Sequence, residues 1–181
     1  MSTEVQPVTA LHVAGLRACI DSIARERKFL AQVEAVPLEQ MRQFVENNIA
    51  HDLAQFVAVD GGRVVGWCDI VPGWAYAFQH CGTLGMGVLA AYRGQGIGQR
   101  LMAACIAKAR QRGITRIELQ VRIDNTRAIG LYQRMGFVRE GRKRNGMCID
   151  GRYFDMVEFA LVFDAGKEAS ASATDLGAAQ Q

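Results

Sequence analysis

A chain of 181 residues, 50% hydrophobic and 22% charged, has the size and composition of one globular domain, which excludes a disordered or fibrous polymer. No window approaches the ~18 apolar residues of a membrane span, and MSTEVQPVTA shows no basic stretch followed by an apolar run, so a cytoplasmic protein is expected. The net charge of +3 hides an asymmetry: Arg93 to Arg144 holds 13 Lys and Arg against 3 Asp and Glu, a net +10, which leaves −7 for the rest.

A basic half suits a polyanionic ligand, and an acidic half tolerates a cationic one. Nucleic acid is disfavoured as that polyanion, because the basic half has neither interleaved exposed aromatics nor a recognition signature. The five cysteines (Cys19, Cys68, Cys81, Cys105, Cys148) are odd in number and widely spaced, without C-x-x-C. They read as reduced thiols, mostly buried, and no metal is expected.

In chain order, a short strand near Val5 precedes a helical pattern over Val8 to Lys28. A second helix runs from Pro37 to Asn48, with proline near its start. Gln55 to Val59 alternates like a strand, Asp60-Gly61-Gly62 turns, and Arg63 to Val71 returns as a hairpin. A further strand spans about His80 to Val88. Gly98 to Arg112 places Leu101, Met102, Cys105, Ile106 and Ala109 at helical spacing, with Gly113 as the stop. Arg116 to Val121 is a strand and Asn125 to Met135 a short helix ended by Gly136. Phe137 to Arg144 and Tyr153 to Phe163 are two last strands around the turn at Asp150. The order β-α-α-β-β-β-α-β-α-β-β predicts one α/β (α+β) domain over 1–163 with a mixed sheet, and an Ala/Ser/Gln-rich tail over 164–181.

The most informative stretch is YRGQGIGQRLM, Tyr92 to Met102. A P-loop would require Gly-Lys-Ser/Thr, which the chain lacks. A dinucleotide fold would require a third glycine where Gln99 stands, although Glu118 lies near the expected acidic position. The remaining pattern is R-x-x-G-x-G: Arg93, Gly96, Gly98. Glycines let backbone N–H groups approach a phosphate, and a helix N-terminus adds roughly half a positive charge, so the segment suits a pyrophosphate.

This hexad, the preceding LGMGV and the following DNTRAIGLYQRMGF together resemble the GCN5-related N-acetyltransferases, over nearly all of Val5 to Phe163. The resemblance implies that family's fold: a mixed, mostly antiparallel sheet of about seven strands flanked by about four helices, splayed between strands 4 and 5. It implies acetyl-CoA as co-substrate, with an amide of Met86 at the acetyl oxygen and one of Val88 on pantetheine. Gly85 and Gly87 would ease a distortion of that strand. The cofactor set implied is Met86, Gly87, Val88, Arg93, Gly94, Gln95, Gly96, Ile97, Gly98, Gln99, Asn125 and Tyr132. Asn125 is also a natural N-cap. Tyr132 would be the general acid, since a phenol can protonate a departing thiolate.

The acceptor is less defined. The family's glutamate position on the fourth strand is taken here as Gly82, which leaves His80, on the same face, as a candidate base. Glu26 and Glu34, in RERKFLAQVEAVPLE, are candidates to hold an ammonium group. RERKFLAQVEAVPLE, GWCDI, LGMGV and GRKRNGMCIDGRYFDM resemble the phosphinothricin- and amino-acid-type branch. That implies a small amine or amino acid as acceptor, direct attack in a ternary complex, and a homodimer. A peptide or antibiotic acceptor, or a coenzyme-binding module without turnover, stays open.

Overall fold

The computed structural model describes residues 3–163; the expected tail over 164–181 lies outside the described residues. Seven strands and four α-helices follow one another: β1 (Glu4–Pro7), α1 (Val13–Ala24), α2 (Leu38–Ala50), β2 (Ala54–Asp60), β3 (Arg63–Pro72), β4 (Cys81–Val88), α3 (Ile97–Gln111), β5 (Arg116–Arg122), α4 (Thr126–Arg134), β6 (Val138–Ile149) and β7 (Arg152–Val162). No helix among the described residues is long and apolar enough to cross a membrane.

The first helix is shorter than its hydrophobic pattern suggests. A 3-10 turn over Ala10–His12, boxed by Thr9 and His12, precedes it. At the other end Arg27, at φ +50°, breaks the helical path. β6 is longer than expected, because Met147, Cys148 and Ile149 re-pair with Phe154, Tyr153 and Arg152 past an irregularity after Lys143.

The sheet order is β1-β2-β3-β4-β5-β7-β6. Every neighbouring pair is antiparallel except β4 and β5. Those two pair in parallel only over Cys81–Thr83 and Arg116–Glu118, and then part. From Leu84 onward one edge of β4 faces a gap, whose backbone groups need a partner from elsewhere.

α1 packs against one sheet face, with Ile23 reaching Gly87 beside Trp67, and α2 packs on α1. α3 covers the other face, where Leu101 meets Gly66, and α4 lies beside it with Leu131 against Gly98. The core is continuous through the sheet; Leu16, Val45, Val57, Val65, Ile117 and Leu101 are fully enclosed. Three of the five cysteines, Cys19, Cys68 and Cys105, are buried, and all five are free thiols.

The glycines of β4 have a steric reason beyond the one expected. Neither Gly85 nor Gly87 has a positive φ. Each makes room for a β3 side chain crossing over it: a Cβ on Gly87 would sit 2.4 Å from the Trp67 ring, and one on Gly85 would sit 2.9 Å from Asp69 Oδ1. Overpacking at Gly87 cannot relax cheaply, because Trp67 is buried at 5% exposure. Gly87→Ala should therefore cost about 2 kcal/mol and lower Tm by roughly 4–8 °C in a thermal melt. An unchanged Tm would show that the indole has room to move.

Candidate active site

The parting of β4 from β5 opens a cleft of about 1380 Å³, floored by β4 and β5 and walled by the N-termini of α3 and α4. That exceeds the usual volume of a single small-ligand pocket. All of the cofactor residues expected from the sequence line it except Gln95, whose side chain turns back to the Ala91 carbonyl at 3.1 Å.

The glycine loop has the form of an anion cradle. Gly94 and Gly96 take left-handed φ values of +81° and +76°, with open space where a Cβ would be. Gly96 is the N-cap of α3, so the free amides of the first turn lie beside it. Gly98 is needed for another reason: a Cβ there would come within 3.1 Å of Met86 Cε and 3.3 Å of Leu131. Close approach here fixes the helix start against β4. A coenzyme carrying a pyrophosphate and a thin thioester arm fits this donor set: amides at one end, an unpaired strand edge along the gap.

Arg93 does not reach outward. Its Nε donates to the Val88 carbonyl at 2.8 Å, and its two terminal nitrogens donate to Glu26 at 3.0 and 2.6 Å. The guanidinium thus ties the end of α1 to the end of β4, which leaves the glycine loop's donors to the main chain. This also corrects the expectation for Glu26, whose carboxylate is committed to Arg93. Glu34 lies outside the cleft, 69% exposed and 3.7 Å from Arg25. Neither is free to hold an acceptor ammonium.

His80 is not brought to the site. It is exposed at the start of β4, its ring 3.3 Å from Cys81 Sγ, and its carbonyl accepts from Thr115 and Arg116 where β4 and β5 are still joined. Met86 is six residues further along, roughly 20 Å of strand, so the expectation of His80 as base is withdrawn on geometry.

Asn125 caps α4, its side-chain oxygen accepting from Ala128 N at 3.3 Å; its amide nitrogen is left for the cleft it lines. Tyr132 is buried at 8% exposure, its ring set by Phe137 and Phe159 at centroid distances of 6.0 and 6.3 Å. Burial, and secondarily the neighbouring Cys68, raise its hydroxyl pKa well above the usual phenol value. It therefore stays protonated at neutral pH, as a proton donor must.

Sequence reading missed Arg127 and Arg134. Both lie on α4 and line the cleft, and neither forms an ion pair among the described residues. The excess of +10 over Arg93 to Arg144 was their signal, but charge counting alone does not say which arginines face inward. Arg122 is one that does not serve as a free cation. It is 8% exposed, stacked 3.5 Å over Phe154, and bonded to Asp124 and the Lys28 carbonyl. No group of His, Cys, Asp and Glu that could hold a metal occurs among the described residues.

A family model described as Acetyltransferase (GNAT) family matches residues 19–137. N-alpha-acetyltransferase 30 of Schizosaccharomyces pombe is 31% identical over 116 residues, 58% of this chain and 71% of that protein. The crystal structure of a ribosomal-protein-alanine N-acetyltransferase from Brucella melitensis is similar with a TM-score of 0.82 and 25% identity, covering 88% of this chain and 99% of the other. A phosphinothricin acetyltransferase from Sinorhizobium meliloti, solved with acetyl-CoA, superposes with a TM-score of 0.84 over 92% of this chain and 91% of the other, at 15% identity. The last likeness is one of fold.

Proposed function

The chain belongs to the acetyltransferase (GNAT) family, and from that premise we propose that the amine it acetylates is that of a small molecule of the amino-acid type. Acetyl-CoA is the donor in this family, supplying a thioester whose carbonyl an amine can attack. In the reading we favour, the loop amides from Gly94 to Gly98 hold its pyrophosphate, with Arg127 and Arg134 lining the same cleft. The exposed edge of β4 lies along its pantetheine arm, the Met86 amide faces the carbonyl oxygen, and Tyr132 returns a proton to sulfur. A backbone donor at a developing oxyanion is worth about 3 kcal/mol where it has been removed.

The observation that carries the choice of acceptor is an ion pair joining two segments whose neighbours, Glu26 and Phe29 on one side and Met147 and Cys148 on the other, line the cleft. Arg27, just after α1, donates through Nε to Asp150 Oδ2 at 2.8 Å and through a second nitrogen to Oδ1, at the tip of the β6–β7 hairpin. The Lys28 carbonyl, next in sequence, is held by Arg122 at 2.6 Å. With these two segments tied together beside the cleft, a small amine enters more readily than a folded protein's N-terminus. A second reading, an exposed peptide α-amine, is favoured by the names of two of the relatives above, one an N-alpha-acetyltransferase and the other a ribosomal-protein-alanine N-acetyltransferase. The two acceptors differ in basicity: freeing the electron pair at pH 7 costs about 1 kcal/mol for a peptide α-amine near pKa 7.8, against about 4–5 for a lysine side chain, with a free amino acid between the two.

A panel of free amino acids, polyamines, aminoglycosides and short peptides, scored by thiol release, tests this. Free amino acids should be turned over, and Arg27→Ala should raise the rate with peptides several-fold relative to amino acids. Turnover of peptides alone by the unaltered protein would overturn the small-molecule reading.

A further inference from the structure

Asp69, on β3, lies in the GWCDI stretch but was given no role by the sequence, and it takes no hydrogen bond from any described residue. Three features single it out. It is directly opposite Gly85 of β4, a glycine that lines the cleft, and its Oδ1 occupies the space where a side chain at 85 would begin, 2.9 Å from the ideal Cβ position. It lies on the sheet face toward α1 and α2, the same face as exposed, cleft-lining Thr83. Protein surrounds it on most sides, yet part of its surface stays open.

The second observation is an orphan. Gln55, opposite Asp69 on the other flank of β3, is 2% exposed. Its side-chain oxygen accepts from Asn48 Nδ2 of α2 at 2.9 Å, which orients the amide, while its Nε2 has no partner. A cross-strand pair stands about 5 Å apart at Cβ, so the unpartnered Gln55 Nε2 and the Asp69 carboxylate are neighbours on one sheet face. Buried polar groups are seldom left unpaired without a functional or solvent reason.

We propose that Asp69 accepts, through one water, the proton that the acceptor amine sheds on attacking the acetyl carbon, with Gln55 and Asn48 as positioning residues. The step balances. The nitrogen lone pair forms the C–N bond, and one N–H proton passes to the carboxylate. The C–S bond breaks with its electrons on sulfur, the Tyr132 hydroxyl protonates that sulfur, and solvent returns the proton from Asp69 to Tyr132. The inference rests on acetyl transfer to an amine, not on which amine.

Burial alone pushes the Asp69 carboxyl up from its ordinary value to about 7; no charged neighbour contributes. The groups facing it are the neutral Gln55 side chain of β2, Gly85 of β4, and across the sheet the Cys68 thiol, itself held protonated by burial. A base near the working pH is the most effective one.

The test uses whichever amine the unaltered protein acetylates fastest, so it is indifferent to the acceptor class. Asp69→Asn should lower kcat by about 100-fold and abolish the acidic limb near pH 7 in the kcat profile, with acetyl-CoA affinity by calorimetry unchanged. Because folding favours the protonated acid, its stabilisation is full below the unfolded pKa near 4 and is lost as pH rises through 7. The Tm of Asp69→Asn relative to the unaltered protein should therefore rise between pH 4 and 7. Gly85→Ala, which keeps the carboxyl but displaces it, should move the limb. An Asp69→Asn protein with the full rate and an intact limb would overturn the proposal. So would one whose lost rate follows lost coenzyme affinity.

Discussion

Tyr132→Phe should lower kcat by about 100- to 1000-fold, and the Kd for acetyl-CoA by calorimetry should stay within about twofold. The change removes one oxygen from a side chain whose place is set by its ring. Phe137 and Phe159 hold that ring at the same centroid distances whether or not it carries a hydroxyl, and no described residue hydrogen-bonds the hydroxyl. The fold therefore loses no bond, and Tm should hold. What is lost is the proton delivered to the departing sulfur, a group made only in the transition state, so the loss falls on kcat. The raised pKa fixes the pH signature as well: the hydroxyl is protonated throughout the neutral range, so removing it should lower the profile without deleting a limb near pH 7. That separates it from Asp69→Asn. A coenzyme sensor without turnover would not respond to the change at all, and an undiminished kcat would remove Tyr132 from the chemistry.

How much of this was written in the sequence depends on the range of the interaction. Element order and type were legible, because apolar period, turn residues and caps are local: Asn125 caps α4 and Gly113 closes α3 with φ +83°, as their positions suggest. The glycine loop before α3 was legible for the same reason, since its geometry is carried by consecutive residues. Pairings across the chain were not. Glu26 looked like an anchor for the acceptor until its partner, 67 residues away, proved to be Arg93. His80 shared a strand face with the site, but strand alternation says nothing of distance along the strand, and it lies at the joined end of β4. The glycines of LGMGV have a second cause that was not foreseen. They are receivers for Trp67 and Asp69, which no pattern within β4 could disclose. Asp69 was missed because a lone acid in RVVGWCDIV looks like any polar residue on a strand, and its meaning comes from what stands opposite on both flanks.

Those distinctions bear on where the coenzyme site can be broken without breaking the fold. Gly98 is a poor place, since a Cβ there meets Met86 and Leu131, and loss of binding would be confounded with misfolding. Gly96 is better. A Cβ at 96 meets nothing within 4 Å, and among residues with side chains Asn and Asp best tolerate its left-handed φ of +76°. Gly96→Asp puts a negative charge at the N-cap of α3, where it is compatible with the helix dipole but hostile to a phosphate. At roughly 5 Å from two phosphate charges, in a partly solvated cleft, the repulsion is about 3 kcal/mol. The Kd for acetyl-CoA should therefore rise about 100-fold, with the melting temperature little changed. Gly96→Asn has nearly the same shape and the same backbone cost without the charge, and should lose far less. Since the term is electrostatic, added salt should narrow the gap between the two variants. Equal affinity in both would mean that the phosphates lie elsewhere than at the amides of this loop.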